Sequence, residues 1–203
     1  MRFRLGQYFN FEGLKFTLSG LFHPSLYRPH YQISTISEIN FYKLRKNGIK
    51  YIVFDKDNTL TLPYEKKFHP AILPCITALV DPASAGADSP SPYPYGINKP
   101  RCIEDIRRTF SKNNDGIRDD EICVIGDRIF IDVIMGNSGG FLTIHTQPFT
   151  TEGENFLVRG SRKIEDLVVK LMSGTQKEFP KFEKLKQKGT FEEFIIRPDK
   201  NVV

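Results

Sequence analysis

Cysteine is scarce: Cys75, Cys102 and Cys123 are the only ones in the 203 residues. They are scattered without the paired spacing of a zinc site, and their odd number argues against a disulfide framework, so a reducing compartment fits best. No apolar run approaches the roughly 20 residues needed to cross a bilayer, which argues against a membrane-spanning chain. No G-x-x-x-x-G-K-[ST] loop occurs, so "INKP" at 97–100 does not make a nucleotide-binding GTPase. A secretory signal and internal repeats are also lacking. Charge of one sign is not in large excess. A net +5 with a pI near 9.0 favours anionic partners such as phosphorylated substrates or acidic lipid surfaces, but is too small to imply nucleic acid.

What is present reads as one domain with extensions, since the length argues against two full domains. Among the first 30 residues Arg2, Arg4, Lys15 and Arg28 face only Glu12, a weak organelle-targeting bias. Phe11, Leu14, Leu18, Leu21 and Phe22 recur near helical spacing, which predicts an amphipathic helix ended by His23-Pro24. It either docks on the domain's own core or lies on a membrane surface. We divide the chain into an N-terminal extension over 1–40, a catalytic-type domain over 41–173 and a charged, weakly periodic tail over 174–203.

Within the domain, 41–47 reads as a short helix leading through Gly48 into a buried strand, Tyr51 to Phe54. The span 81–98 is rich in Pro, Ser, Ala and Gly and reads as a shortened or flexible connection. Then "RCIEDIRRTFSK" reads as a helix, "EICVIG" as a second buried strand and "RIFIDVIMGNSGG" as a helix stopped by glycine. "FLTIHT" reads as a third strand and "RKIEDLVVKLM" as a final helix. Strands alternating with helices predict an α/β fold: a three-layer, Rossmann-like domain with a mostly parallel central sheet and no large cap.

The chemistry is carried by acids at strand ends. Asp55 and Asp57 follow the first strand, and Asp127 follows "ICVIG" with Asp132 a turn or so later. A lone D-x-D is more often a polar turn than a site. In an open parallel sheet, however, the carboxyl ends of the strands face one crevice, which can bring Asp55, Asp57 and Asp127 together. Converging carboxylates repel one another, and a hard divalent cation, most naturally Mg²⁺ with a substrate phosphate, resolves that repulsion. Lys99, just before a helix, can balance charge on a transferring phosphoryl group.

These residues resemble the haloacid dehalogenase superfamily of aspartyl-phosphate phosphatases. Asp55, Asp57 and Thr59 match its D-x-D-x-T motif, Lys99 its motif lysine, and Gly126, Asp127 and Asp132 its strand-end motif. The resemblance implies that Asp55 attacks phosphorus and that Asp57 acts as general acid and then base. It further implies that Asp55, Asp127 and the backbone carbonyl of Asp57 hold Mg²⁺, that Thr59 steadies the loop, and that Asp132 orders the metal surroundings or Lys99. A narrower similarity, over roughly residues 10–172, rests on "HPSLYRP", "VFDKDNTLTLPYE", "KP" before a helix and "VIGDRIFIDVIMGNSGG". It is to the mitochondrial phosphatidylglycerophosphate phosphatases. That family's expected properties are removal of the terminal phosphate of an anionic phospholipid on the path to cardiolipin, in the mitochondrial matrix and peripheral to the inner membrane. Homo-oligomerisation stays open.

One motif departs. Where the family has "SNSAG", this chain has "LVDPASAG", so the motif serine falls on Pro82 and the asparagine on Ala83. Ser84 is the substitute candidate for phosphate binding. Only "ILPCITALV" remains where a helix and a strand should both fit. A soluble phosphatase of small phosphorylated metabolites and a catalytically weakened phosphate-binding or assembly subunit therefore stand as alternatives.

Overall fold

The computed structural model describes residues 23–80, 95–96, 103–111, 116–152, 154, 156–173, 182 and 193–196. Five strands, β1 (Tyr31–Ile33), β2 (Tyr51–Phe54), β3 (Tyr95–Gly96), β4 (Ile122–Gly126) and β5 (Leu142–Thr146), form one sheet in the order β1-β5-β4-β2-β3. Every pairing between them is parallel. The helices are α1 (Phe41–Lys46), α2 (Leu73–Val80), α3 (Ile103–Ser111), α4 (Ile134–Ser138) and α5 (Phe156–Ser173).

Strand β2 is buried throughout, as is β4, because each is apolar on both faces, the pattern of a sheet covered by helices on both sides. Successive side chains point to opposite faces. Ile52, Phe54, Cys123, Ile125, Leu142 and Ile144 pack with Leu44 of α1 and Ile76 and Leu79 of α2. Tyr51, Val53, Ile122 and Val124 pack on the other side with Ile103, Ile106 and Phe110 of α3 and Met135 of α4. The expected three-layer α/β arrangement is present, and among the described residues no folded unit interrupts the loop between β2 and α2.

Local chemistry sets the joints. The Asn40 side chain caps α1 by accepting from Lys43 N at 3.0 Å. Gly48, at φ +81°, takes the left-handed turn from α1 towards β2, which a side chain would strain. The "HPSLYRP" stretch forms a 3₁₀ turn at Pro24–Tyr27, and Asn137 Nδ2 donates to the Leu26 and Arg28 carbonyls at 2.7 and 3.0 Å. Thr143 Oγ1 donates to Asn137 Oδ1 at 2.8 Å, so this segment is pinned to α4 and β5 together. That anchorage carries the chain into β1, a three-residue edge strand beside β5 that sequence periodicity did not reveal.

Other expectations need correction. Tyr95–Gly96, inside the span read as a connection, pairs with Ile52 and Val53 of β2 as strand β3. Nearly all of "ILPCITALV" becomes helix α2, so the sheet position beside β2 is filled from later in the chain. The final helix begins at Phe156, six residues before the arginine where we expected it. The charged, weakly periodic tail contributes to the core: Phe182 and Phe194 are buried there. Phe194 meets the Tyr31 ring edge-on at 4.7 Å, and Asn40 N donates to its carbonyl at 2.8 Å. The helix expected over 11–22 lies outside the described residues.

Removing the buried Phe194 ring leaves a cavity in the core shared by β1 and α1. Phe194→Ala is therefore expected to cost about 3–5 kcal/mol of unfolding free energy in a denaturant titration. A change below about 0.5 kcal/mol would show that this segment does not pack where described.

Candidate active site

Chain order makes β2 and β4 the point where the sheet reverses direction: from β2 the chain passes to β3 on one side and then returns to β4 on the other. Ligand crevices of open parallel sheets form at such a point, outside the carboxyl ends of the strands. Phe54 pairs with Ile125, and Asp55 N donates to the Ile125 carbonyl at 2.9 Å, so Asp55 stands level with Gly126 and one residue below Asp127. Asp132 is brought back over the same edge by a π-helical turn at Ile129–Val133 that precedes α4. Asp55, Asp127 and Asp132 are all buried, each offering an oxygen within 4.8 Å of the others.

Gly126 is required by this geometry. A Cβ built on it would collide with the carboxyl group of Asp132, so the acid closes down onto bare backbone. The same carboxyl group accepts from Arg128 N at 3.1 Å through Oδ2.

Helix α5 supplies the group that holds Asp127. Arg162 Nη2 donates to Asp127 Oδ2 at 2.5 Å, and its Nη1 donates to the Asp127 carbonyl at 3.3 Å. The guanidinium also forks onto Glu154, with Nε to Oε2 at 3.0 Å and Nη2 to Oε1 at 2.6 Å. Glu154 in turn accepts from Asn58 Nδ2 at 2.8 Å. Asn58 sits at φ +66° between Asp57 and Thr59, and its Oδ1 accepts from Thr150 N at 3.2 Å. A parallel arrangement holds the next turn: Arg128 bonds Glu165 Oε1 and Ser161 Oγ, and Ile129 N donates to Glu165 Oε2 at 3.1 Å. Sequence reading missed Asn58, Glu154, Ser161, Arg162 and Glu165. The available signal was Ser161, Arg162 and Glu165 recurring within one turn of a helix, but nothing in that spacing names their distant partners.

Electrostatics follow from crowding. Burial, the largest effect, raises the Asp127 pKa to about 6; Asp55 adds to the rise, while Arg162 and Arg128 oppose it. Burial pulls the Arg162 pKa down, but its hydrogen bonds and ion pairs with Glu154 and Asp127 outweigh this and leave it above its ordinary value. An all-oxygen set of three buried carboxylates, of which Asp127 meets a guanidinium that is itself shared with Glu154, fits a hard divalent cation.

The remaining candidates divide. The carboxylate of Asp57 stands outside the three-acid cluster, part-exposed, with Lys56 Nζ 3.5 Å from its Oδ1. Thr59 is buried, and its Oγ1 has no hydrogen-bond partner among the described residues. Lys99 and Ser84 lie outside the described residues.

Fold and site together define a Rossmann-like α/β domain built around a strand-end carboxylate cluster of the kind that holds a hard cation. Residues 11–87 and 93–150 match the family described as mitochondrial PGP phosphatase, with the break falling inside the Pro- and Ser-rich span. The chain belongs to that family. It is 30% identical over 191 residues to phosphatidylglycerophosphate phosphatase 1, chloroplastic/mitochondrial, of Arabidopsis thaliana, a match covering 82% of this chain and 54% of that protein. To phosphatidylglycerophosphate phosphatase 1, chloroplastic, of Chlamydomonas reinhardtii it is 33% identical over 189 residues, covering 82% of this chain and 70% of that protein. To the mitochondrial phosphatidylglycerophosphatase GEP4 of Saccharomyces cerevisiae it is 28% identical over 156 residues, covering 64% of this chain and 83% of that protein. The chain thus spans about half the length of the Arabidopsis relative. No solved structure matches it significantly. Among the described residues no helix is long and apolar enough to cross a membrane.

Because the Asp132 carboxyl group lies against Gly126, Gly126→Ala is expected to force that acid out of the cluster. The variant should lose about 1–3 kcal/mol of stability in chemical denaturation. A variant as stable as the parent would mean that the close approach does not exist.

Proposed function

We propose that this protein is a Mg²⁺-dependent phosphatase of the haloacid dehalogenase type that hydrolyses phosphatidylglycerophosphate to phosphatidylglycerol, on the path to cardiolipin. We further propose that it works in the mitochondrial matrix, peripheral to the inner membrane. The observation that carries this reading is the convergence of buried Asp55, Asp127 and Asp132 at the β2–β4 switch point in a chain of this family.

In this reading Asp55 attacks phosphorus, the bond from phosphorus to the glycerol oxygen breaks, and Asp57 gives its proton to that leaving oxygen. Asp57, exposed enough to meet water, then takes a proton from a water molecule that attacks the acyl phosphate, releasing inorganic phosphate and restoring Asp55. Splitting the hydrolysis this way replaces one difficult displacement with two easier ones. Thr59 offers its unpartnered hydroxyl to a phosphate oxygen, and Lys99 and Ser84 remain candidates for the same task. A bound Mg²⁺, held by Asp55, Asp127, Asp132 and the Asp57 carbonyl, would neutralise the acids and let an anionic phosphate approach them. The short loop between β2 and α2 leaves room for a large head group, which favours a lipid over a small enclosed metabolite.

The reading is tested by phosphate release from phosphatidylglycerophosphate in mixed micelles beside a water-soluble phosphate ester, each with and without Mg²⁺. Fast, Mg²⁺-dependent release from the lipid supports it; release from the soluble ester alone would favour a metabolite phosphatase. Asp55→Asn is expected to abolish turnover while the protein stays folded by circular dichroism, because an amide cannot form the acyl phosphate. Unchanged turnover would remove Asp55 as nucleophile.

The pH dependence has a definite sign. The Asp127 pKa is raised to about 6 in the folded protein, so its contribution to cation-free stability is fully present below the ordinary value of 3.8 and is lost as pH rises through about 6. A cation that binds the ionised acid restores that loss. Mg²⁺ is therefore expected to raise the Tm more at about pH 7.5 than at about pH 5. Equal shifts at both would contradict a role for Asp127 in the cation site.

A further inference from the structure

Arg162 is a long side chain from α5 that reaches a residue 35 positions earlier, and it makes two kinds of contact there, to the carboxylate and to the backbone carbonyl of Asp127. The same guanidinium forks onto Glu154, and Glu154 holds Asn58 in the loop that carries Asp55 and Asp57. Both acids of this relay are 4% exposed or less in their side chains, and Arg162 is 16% exposed.

Stability alone is a poor reason for such a relay. Removing two carboxylates and a guanidinium from water costs several kcal/mol per ion, and well-packed apolar side chains of the same volume often serve a fold equally well. What an apolar substitute cannot do is hold a carboxylate oxygen and the backbone carbonyl of Asp127 at once and tie both, through Glu154 and Asn58, to the loop bearing Asp55. Lysine cannot do it either, because the task needs donors directed at Asp127 and Glu154 at once, which the planar guanidinium fork supplies and an ammonium does not.

We propose that Arg162 is a positioning residue for the cation site. Through Asp127 on one side and Glu154 and Asn58 on the other, it fixes the distance between acids carried on two different strands. This rests on the Mg²⁺ reading given above, and deepens it by naming what sets the ligand geometry.

Charge and position make opposite demands, which gives the proposal its test. If Arg162 acted only as a positive charge, removing it would tighten Mg²⁺ binding. If it positions Asp127, removing it weakens binding despite the lost repulsion. The experiment is a calorimetric Mg²⁺ titration of the full chain without substrate, for the parent, Arg162→Met, Arg162→Lys and Glu154→Gln, with the Tm of each recorded alongside. Groups that hold a metal ligand in place typically govern affinity by 10- to 100-fold. The dissociation constant is therefore expected to rise at least about 10-fold in Arg162→Met and in Arg162→Lys, although lysine keeps the charge. Glu154→Gln is expected to weaken binding too, and keeps the test decisive where Arg162→Met does not fold. Tighter or unchanged binding in the folded Arg162 variants, or affinity that stays constant while only the Tm falls, would overturn the positioning role. A parent that binds no Mg²⁺ would overturn the cation reading itself, and this inference with it.

Discussion

Three carboxylates buried within 4.8 Å of one another repel, and the rest of the structure is arranged to keep them there. In water such acids would stay apart; in a low-dielectric crevice they must be hydrogen-bonded, paired with cationic groups or protonated. The first two devices are visible: Arg128 N donates to an oxygen of Asp132 and Arg162 to an oxygen of Asp127, while burial pushes the Asp127 pKa up to about 6. A divalent cation answers the same repulsion more completely, which is why a crowded acidic crevice and phosphate chemistry belong together.

Holding the acids in place falls to parts of the chain far from them in sequence. The parallel register of β2 and β4 sets Asp55 against Gly126, and the absent side chain of Gly126 lets Asp132 close over it. Helix α5 then contributes Ser161, Arg162 and Glu165 from a single turn, so one helix braces Asp127 and the Arg128–Ile129 segment that follows it. At the other end of the chain, the "HPSLYRP" turn is fastened by Asn137 to α4, the helix that follows the Asp132 turn.

How much of this the sequence displays depends on whether the signal is local. Strands β2 and β4 are continuous apolar runs ending in recognisable chemistry, and the acids Asp55, Asp127 and Asp132 follow from them. Strand β1 has three residues and β3 only two, too short for any periodicity, and both exist because a neighbouring strand offers them hydrogen bonds. The burial of Phe182 and Phe194 is equally non-local, since their surroundings in sequence are rich in lysine and glutamate. Arg162 and Glu154 were hidden for the same reason: charged residues on a helix and its approach normally face solvent, and only the fold reveals that these two turn inward.

The central claim is that Asp55 becomes phosphorylated during turnover, and it can be read directly. Phosphatidylglycerophosphate is turned over with Mg²⁺, the mixture is quenched in acid, and borohydride reduces any aspartyl phosphate to homoserine before the position is mapped by mass spectrometry. The account predicts homoserine at residue 55 and at no other aspartate. Turnover that leaves Asp55 unreduced, or that marks Asp57 or Asp127 instead, would contradict it.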